Sequence, residues 1–313
     1  MTALPAAARK AALEAIFAHL AKPPQHTDVL AALRASAEGY SMGQKGRGVL
    51  ECRPSEITLD GRPALWLTPP DARHDLRLLH LHGGGWVAGS IESHRALAAE
   101  LAWLTRAPIL VPSYRLAPEH PFPAGLEDAM GALHYVRSHG PAGSAPRAAL
   151  GLSGDSAGGN LAAALALQCA AAGMTGPDRL ALFSPFLSLS LGAQSFQAAA
   201  RDPIVQQEGI DLVASLYAGA VDSRNPLVEP LSGLDPVLEL MPPTLIQASA
   251  AESLRDQAFA FANRLWSVGV EARLSLWPDV PHVWHLFLET LPDARAALTE
   301  AAAFLSDFNV GSG

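Results

Sequence analysis

The stretch AALGLSGDSAGGNLAAALAL, residues 148–167, decides the fold of this protein. A short apolar run leads into the pattern G-x-S-x-G at residues 154–158, and an alanine- and leucine-rich segment follows. This order predicts a strand, a sharp turn and a helix, because small residues around the turn let neighbouring backbones approach. Such a turn projects the hydroxyl of Ser156 above the edge of a sheet, which makes Ser156 the candidate nucleophile. The same pattern taken alone also occurs in ordinary loops.

Outward from this stretch, apolar runs alternate with helical segments over most of the chain. The apolar runs read LRLLHLH, PILVPSY, RLALFSP, PTLIQASA and ARLSLWP. Helices are predicted near residues 126–138, 157–172, 254–268 and 293–308. This alternation is typical of the α/β class, with a mostly parallel sheet covered by helices on both faces. An Asp60-Gly61 pair between two alternating runs predicts an antiparallel hairpin where the sheet begins.

Two regions interrupt the alternation and define the predicted domains. Residues 1–45 predict two short helices around a double proline, which we interpret as N-terminal cap helices. Residues 189–240 are too long for a simple crossover and form a candidate cap insertion. The catalytic core then consists of a first part, residues 46–188, and a second part, residues 241–313.

Composition excludes several classes of protein. With 313 residues, 49% of them hydrophobic and 17% charged, the chain has the composition of a packed globular protein. Its net charge of -8 argues against a nucleic-acid partner. Cys52 and Cys169 suggest neither a disulfide framework nor a cysteine-based zinc site, although a single bridge stays open.

The N-terminus and the apolar stretches predict a protein of the cytoplasm without stable membrane association. Glu14 and His19 interrupt the N-terminal apolar residues at helical spacing, which fits an amphipathic helix better than a signal peptide. The longest charge-free stretches contain Gly, Ser, Asn, Gln and Pro, so neither is typical of a membrane span.

A second motif, HGGGW at residues 82–86, follows the predicted strand LRLLHLH. The backbone N–H groups of Gly83, Gly84 and Gly85 are not screened by side chains. Together with the N–H of Ala157 they are candidates for an oxyanion hole. The alternatives are a flexible loop and a phosphate-binding loop, but the latter would end in Lys and Ser or Thr, where this chain has Trp and Val. Which two glycines donate stays open.

Three motifs in order carry a family resemblance: HGGGW, YRLAPEHPFPA at residues 114–124, and GDSAGGN at residues 154–160. Together they resemble the hormone-sensitive-lipase-like (family IV) bacterial esterases of the α/β-hydrolase superfamily, from about residue 79 to the last helix. The resemblance implies an eight-stranded, mostly parallel sheet with flanking helices and a helical cap. It also implies a serine carboxylesterase for small-molecule esters with short- to medium-chain acyl groups, without cofactor or metal.

A nucleophilic serine needs a base, which follows it in the chain order Ser, Asp or Glu, His in this fold. His282 and His285 are the candidates, in WPDVPHVWHLF at residues 277–287. His282 lies in a proline-bounded loop after the strand ARLSLW, and the family's pattern of His followed by an apolar residue fits Pro281-His282-Val283. We predict His282 as the base and place His285 on a following helical turn.

The acid departs from the family's Asp-Pro-Leu-x-Asp pattern, since the matching run here is ESLRD, residues 252–256. Glu252 takes the catalytic position, after the strand PTLIQASA, and a glutamate is adequate to orient an imidazole. Asp256 and Asp279 are the alternatives. Asp256 lies about one helical turn later, and Asp279 is closer to His282 in sequence than a triad acid usually lies.

Other polar residues near the motifs receive supporting roles. We expect Asp155 to accept backbone hydrogen bonds, His82 to brace the glycine loop, and Glu119 and His120 to support a rigid turn. His80 and His82 alternate onto one strand face as metal ligands would, but no Asp-His pair follows to complete a metallohydrolase set. No metal is predicted.

The substrate pocket is the least determined part of the site. Its predicted lining consists of Trp86, Ile204, Val205, Tyr217, Val283 and Trp284. Residues of these types are more often found in a core than in a pocket. An amidase, lactonase or C–C hydrolase using the same triad remains an alternative. So does a ligand-binding receptor such as the plant gibberellin receptors, which share this fold but lack the triad histidine. We also consider a homodimer in which two copies of the chain pair edge to edge through the strand ARLSLW.

Overall fold

A computed structural model describes residues 5–22, 28–146, 148–189, 204–222 and 224–308. The double proline predicted to separate the first helices lies outside these residues, as do residues 190–203 and 223 of the predicted cap insertion.

Eight strands form the central sheet. They are β1 (Arg53–Leu59), β2 (Arg62–Thr68), β3 (Leu76–Leu81), β4 (Ile109–Pro112), β5 (Ala149–Asp155), β6 (Arg179–Phe183), β7 (Thr244–Ser249) and β8 (Ala272–Trp277). Their order in the sheet is β1-β2-β4-β3-β5-β6-β7-β8. Strand β2 runs antiparallel to both neighbours, and all other adjacent pairs are parallel. The predicted mostly parallel, eight-stranded sheet is confirmed.

Ten α-helices accompany the sheet in the described part of the chain. They are α1 (Ala6–Leu20), α2 (Val29–Gly39), α3 (Gly46–Glu51), α4 (Ile91–Thr105), α5 (Ala124–Ser138), α6 (Ser156–Ala171), α7 (Gln207–Ala218), α8 (Asp235–Leu238), α9 (Arg255–Ser267) and α10 (Pro292–Ser306). Two 3-10 turns, Pro230–Ser232 and Trp284–Leu286, and a small hairpin of His139–Gly140 with Gly143–Ser144 complete the elements.

The sheet is buried on both faces because its strands are apolar at consecutive positions. In β3, Leu79 and Leu81 face the cluster packed by α5, α6 and α9. Leu76 and Leu78 point to the opposite face, where α4 and α10 supply the packing. This two-sided burial is typical of parallel strands, and it leaves the carboxyl ends of the strands as the edge where loops gather.

The hairpin that opens the sheet has the predicted turn. Asp60 and Gly61 connect β1 to β2, and both have positive φ angles, 47° and 80°. Two consecutive positive φ angles give the turn a twist that matches the twist of the paired strands. Leu59 consequently pairs with Arg62 across the turn.

The N-terminal region contacts the rest of the protein at two places. Leu13 and Ile16 of α1 pack in a cluster beside α10, and Arg9 pairs with Asp293 at 2.8 Å. From α2, Arg34 donates to the carbonyl oxygen of Val87 at 2.9 Å, just beyond the glycine loop. The division into core and cap stays a prediction.

Further expectations concern cysteines, membranes and assembly. Cys52 and Cys169 are both buried and unbridged. No helix in the described ranges combines the length and apolar character that crossing a membrane requires. Strand β8 lies at one end of the sheet order, so the pairing of two copies through it stays a prediction.

Candidate active site

The nucleophile turn, residues 154–160, joins β5 to α6 and is shaped by its glycines. Ser156 has a φ of 51°, a left-handed conformation that a side chain rarely adopts. A Cβ atom on Gly154 would lie 2.3 Å from the carbonyl oxygen of Gly158, and one on Gly158 would lie 2.1 Å from that of Leu81. Glycine is therefore required on both sides of Ser156, which is the steric reason for the G-x-S-x-G pattern.

The structure brings the three predicted triad side chains together. Nε2 of His282 lies 2.9 Å from Ser156 Oγ, and Nδ1 lies 2.7 Å from Glu252 Oε2. The second carboxylate oxygen, Oε1, accepts the N–H of Ser249 at 3.0 Å. Glu252 and His282 are 3% and 5% exposed, so water scarcely competes for these hydrogen bonds.

The alternative residues occupy other positions. Asp256 pairs with Arg255 at 2.8 Å at the start of α9, and Asp279 is exposed in the turn after β8. His285 is fully buried, with Nε2 3.0 Å from Gln247 Oε1. Burial lowers the pKa of His285 to about 3, so this imidazole is neutral at pH 7. The geometry therefore favours Glu252 over Asp256 and Asp279 as the acid, and His282 over His285 as the base.

The glycine loop divides its donors between two tasks. Gly83 N–H donates to Asp155 Oδ1 at 3.0 Å and is thereby engaged inside the protein. Gly84 and Gly85 have φ angles of 118° and 61°, and within the described ranges no hydrogen bond engages their N–H groups. Ala157 stands in the first turn of α6, where backbone N–H groups lack helical partners. Gly84, Gly85 and Ala157 are the donors left for a substrate oxygen.

Asp155 lies in a buried histidine network that sequence reasoning missed. Its Oδ2 is 3.1 Å from Nε2 of His94, and its Oδ1 is 3.4 Å from Nε2 of His80. Burial opposes ionisation of Asp155, but its electrostatic interaction with His94 and the closeness of both imidazoles outweigh burial and lower the pKa of Asp155. One signal was present: Ser90 and Ser93 form a capping box directly after the glycine loop, so His94 follows on the first turn of α4.

His82 occupies the bracing position that its place in the motif suggests. Its Nδ1 lies 2.9 Å from the carbonyl oxygen of Gly83, and its ring stacks on Tyr114 at 4.2 Å. Burial, reinforced by the charge of His94, lowers the pKa of His82 to about 3. In the portion of the chain that the structure describes, no three His, Cys, Asp or Glu side chains are arranged so that they could hold a metal ion.

The turn from Tyr114 onward joins the core to the N-terminal region. Glu119 pairs with Arg34 of α2 at 2.6 Å, whereas His120 is exposed. In the part of the chain that the structure describes, the Glu119 carboxylate accepts from Arg34 and neither side chain hydrogen-bonds to the triad, so a supporting role stays the prediction for both.

Four of the six predicted pocket residues lie in α7, directly before it or in contact with it: Tyr217, Ile204, Val205 and Trp86. The rings of Trp86 and Tyr217 stack at 4.5 Å with planes 5° apart, which docks α7 on the glycine loop. Val205 receives a hydrogen bond of 2.9 Å at its carbonyl oxygen from Ser253, the residue after Glu252. Ile204, the preceding residue, is half-buried against the hydrophobic cluster that contains Trp86, Val205 and Tyr217.

The other two predicted pocket residues lie elsewhere. Val283 packs with Phe183 in the cluster on the opposite face of the sheet. Trp284 is fully buried with Ile16 and Phe287 beneath α1. These two residues follow His282 where the backbone turns into the core, and their place in the substrate pocket stays a prediction.

Known proteins resemble the chain over most of its length. The family described as alpha/beta hydrolase fold matches residues 78–286. An acetyl-hydrolase from Streptomyces hygroscopicus is 35% identical over 269 residues, which cover 85% of this chain and 87% of that protein. The carboxylesterase NlhH from Mycobacterium tuberculosis is 31% identical over 242 residues, 76% of this chain and 75% of that protein.

Solved structures give the same result. An esterase from the bacterial hormone-sensitive lipase family has a TM-score of 0.84 and 31% sequence identity, over 97% of this chain and 99% of that chain. A hormone-sensitive lipase from a metagenome library also has a TM-score of 0.84, at 30% identity, over 95% of this chain and 97% of that chain. The chain therefore belongs to the alpha/beta hydrolase fold family, within its group of hormone-sensitive-lipase-like esterases.

Proposed function

We propose that the chain is a serine carboxylester hydrolase that acts through Ser156, Glu252 and His282. The observation that carries the proposal is the position of the imidazole, 2.9 Å from Ser156 Oγ and 2.7 Å from Glu252 Oε2. A carboxylate at Nδ1 keeps the proton on that nitrogen and leaves Nε2 as an acceptor for the serine proton. Relatives named acetyl-hydrolase and carboxylesterase support the same activity.

In the acylation half of the reaction, Ser156 Oγ attacks the ester carbonyl carbon while His282 Nε2 takes its proton. The carbonyl oxygen becomes an oxyanion that accepts hydrogen bonds from the N–H groups of Gly84, Gly85 and Ala157. When the tetrahedral intermediate collapses, the bond to the alcohol oxygen breaks, and the imidazolium protonates the leaving alcohol. The acyl group stays on Ser156.

In the deacylation half, water attacks the acyl-enzyme carbonyl carbon and gives a proton to His282. The second tetrahedral intermediate releases the carboxylic acid and returns the proton to Ser156. Glu252 holds the imidazole and stabilises its protonated form in both halves. The protein, the ester and water supply every proton and electron pair that these reaction steps need.

We also propose that residues 204–222 belong to the cap and favour short- to medium-chain acyl groups. Support comes from α7, which lies against the glycine loop. A Cβ atom on Gly85 would be 3.2 Å from Cγ1 of Val213, and Tyr217 stacks on Trp86. These contacts reduce the space beside the donors of the oxyanion hole, so we expect long acyl chains to fit poorly.

Hydrolysis of p-nitrophenyl esters from acetate to palmitate tests the proposal. We expect turnover of short esters that declines with acyl length, and a loss of kcat of at least about 10⁴-fold in Ser156→Ala. Ser138→Ala, an exposed serine on α5, is the matched control. A chelator is expected to leave the rate unchanged.

Two results would contradict the proposal. Activity that survives Ser156→Ala would mean that another residue is the nucleophile. A wild-type protein inert toward every ester would redirect the search to amides, lactones or ligand binding without turnover.

A further inference from the structure

Tyr40, directly after α2, contacts the candidate catalytic histidine from outside every motif. Its hydroxyl donates a hydrogen bond to the backbone carbonyl oxygen of His282, across 242 residues of sequence. Its ring lies 5.5 Å from the ring of Phe287, further along the same loop. Resting on the proposed function, we propose that Tyr40 is a positioning residue that holds the imidazole of His282 within reach of Ser156.

The hydrogen bond from Tyr40 is one of two that hold a single peptide group. That group joins His282 to Val283: its carbonyl oxygen accepts from Tyr40, and its N–H donates to Ser184 Oγ at 3.2 Å. With both ends engaged, the peptide plane has a defined orientation. The Cα atom of His282 lies in this plane, so the orientation of the plane fixes the position from which the His282 side chain extends.

The restraint matters because the next residue is strained. Val283 has a φ of 46°, and a β-branched residue in this left-handed region is a genuine outlier. Such a conformation persists only where surrounding contacts over-determine it. Without the Tyr40 hydroxyl, Val283 can relax toward negative φ by rotating the peptide and displacing His282. A displacement of about 1 Å at a reacting group costs on the order of 100-fold in rate.

Tyr40 is itself anchored independently of its hydroxyl. Four residues later, Gln44 Oε1 accepts the N–H groups of Glu289 at 2.6 Å and Thr290 at 3.0 Å. Residues 40–46 therefore run along the loop that follows His282. Because these contacts remain when only the hydroxyl is removed, Tyr40→Phe isolates the positioning effect from the packing of the segment.

The test compares Tyr40→Phe with wild type in two assays. We expect kcat for p-nitrophenyl acetate to fall about 10-fold or more, with KM within about two-fold. The rate constant for labelling of Ser156 by a fluorophosphonate is expected to fall by a similar factor, since labelling requires the same activated hydroxyl. Tyr135→Phe, whose ring stacks on His139 of the small hairpin, is the matched control and should change neither rate.

Ser184→Ala provides a second variant, because it removes the partner of the N–H end of the same peptide group. We expect a loss of the same kind, and a double variant less impaired than the product of the two single losses predicts, since both act on one group. Ser184→Ala alone keeps the inference testable if Tyr40→Phe fails to fold, because an unchanged labelling rate in it would show that the orientation of this peptide group does not position His282.

Three results would overturn the positioning role: an unchanged labelling rate in Tyr40→Phe, a loss confined to KM, or losses in the two variants that multiply independently. Failure of the proposed function would look different. A wild-type protein that is labelled at Ser156 but hydrolyses no ester would refute the esterase proposal, while the labelling rates would still test Tyr40.

Discussion

The nucleophile turn, residues 154–160, and the histidine loop, residues 278–287, meet at one hydrogen bond but are held in different ways. The turn is shaped by close contacts among its own glycines and the neighbouring end of β3. The loop is held by side chains from distant segments: Ser249 donates to the carbonyl oxygen of Val280 at 2.6 Å, and Tyr40 donates to that of His282. Steric contacts at short range allow only glycine at these positions of the turn. A backbone carbonyl oxygen, by contrast, can accept a hydrogen bond from many types of side chain.

The largest effect is expected where the turn cannot adjust. A Cβ atom on Gly158 would meet the carbonyl oxygens of Leu81 at 2.1 Å and His82 at 2.4 Å, both of them backbone atoms. We expect Gly158→Ala to lower the free energy of unfolding by about 4 kcal/mol or more and to abolish activity. Urea unfolding measures this.

The matched control for that substitution is Gly209→Ala in α7, where a Cβ atom would meet nothing within 4 Å. We expect Gly209→Ala to change stability by no more than about 1 kcal/mol, in the stabilising direction. Equal effects of the two substitutions would show that the turn is not sterically restricted.

A second prediction concerns the carboxylate that serves the histidine loop. In Glu252→Gln, the amide nitrogen can donate to His282 Nδ1, which moves the ring proton to Nε2. The imidazole then cannot accept the proton of Ser156, and we expect kcat to fall by about 10³- to 10⁴-fold with little change in KM. Steady-state kinetics across short esters measures the loss.

Asp256→Asn is the control for that experiment, because Asp256 pairs with Arg255 at the start of α9. It should retain wild-type kcat. Retention of more than about a tenth of the wild-type rate in Glu252→Gln would show that another group orients the imidazole.

The difference between the two regions also explains what could be predicted from sequence. Ser156 and its flanking glycines were identified because only small residues fit the turn. His282 is predicted from chain order, from its proline-bounded loop and from the family's pattern of His followed by an apolar residue. Tyr40 and Ser184, which hold the peptide next to His282, were missed because a tyrosine or serine is compatible with many surroundings and these contacts depend on the fold.

The smallest predicted effect is a pH dependence of stability in the histidine loop. The pKa of His285 is about 3 in the fold, against 6.5 in an unfolded chain. Between these values only the unfolded state binds a proton there, so stability falls as the pH is lowered from about 6.5 toward 3. One such group contributes a slope of up to about 1.4 kcal/mol per pH unit.

His285→Gln removes this titration while retaining an N–H donor for Gln247. We expect its free energy of unfolding, measured with urea from pH 7 to 4.5, to decline less steeply than that of wild type. The exposed His134→Gln is the matched control. Identical slopes in all three proteins would refute the prediction that His285 is buried in its neutral form.

Sequence by itself determined the alternation of strands and helices, the nucleophile turn, and the chain order of the triad candidates. The first two rest on local chemistry, namely apolar periodicity and glycines where a Cβ atom has no space, and the third rests on the chain order that this fold imposes on a triad. Only the tertiary structure decided that Gly83 N–H is engaged by Asp155, that Trp284 lies in the core, and that Tyr40 reaches His282. These contacts join residues far apart in the chain, and the forces that create them leave no periodic pattern along it.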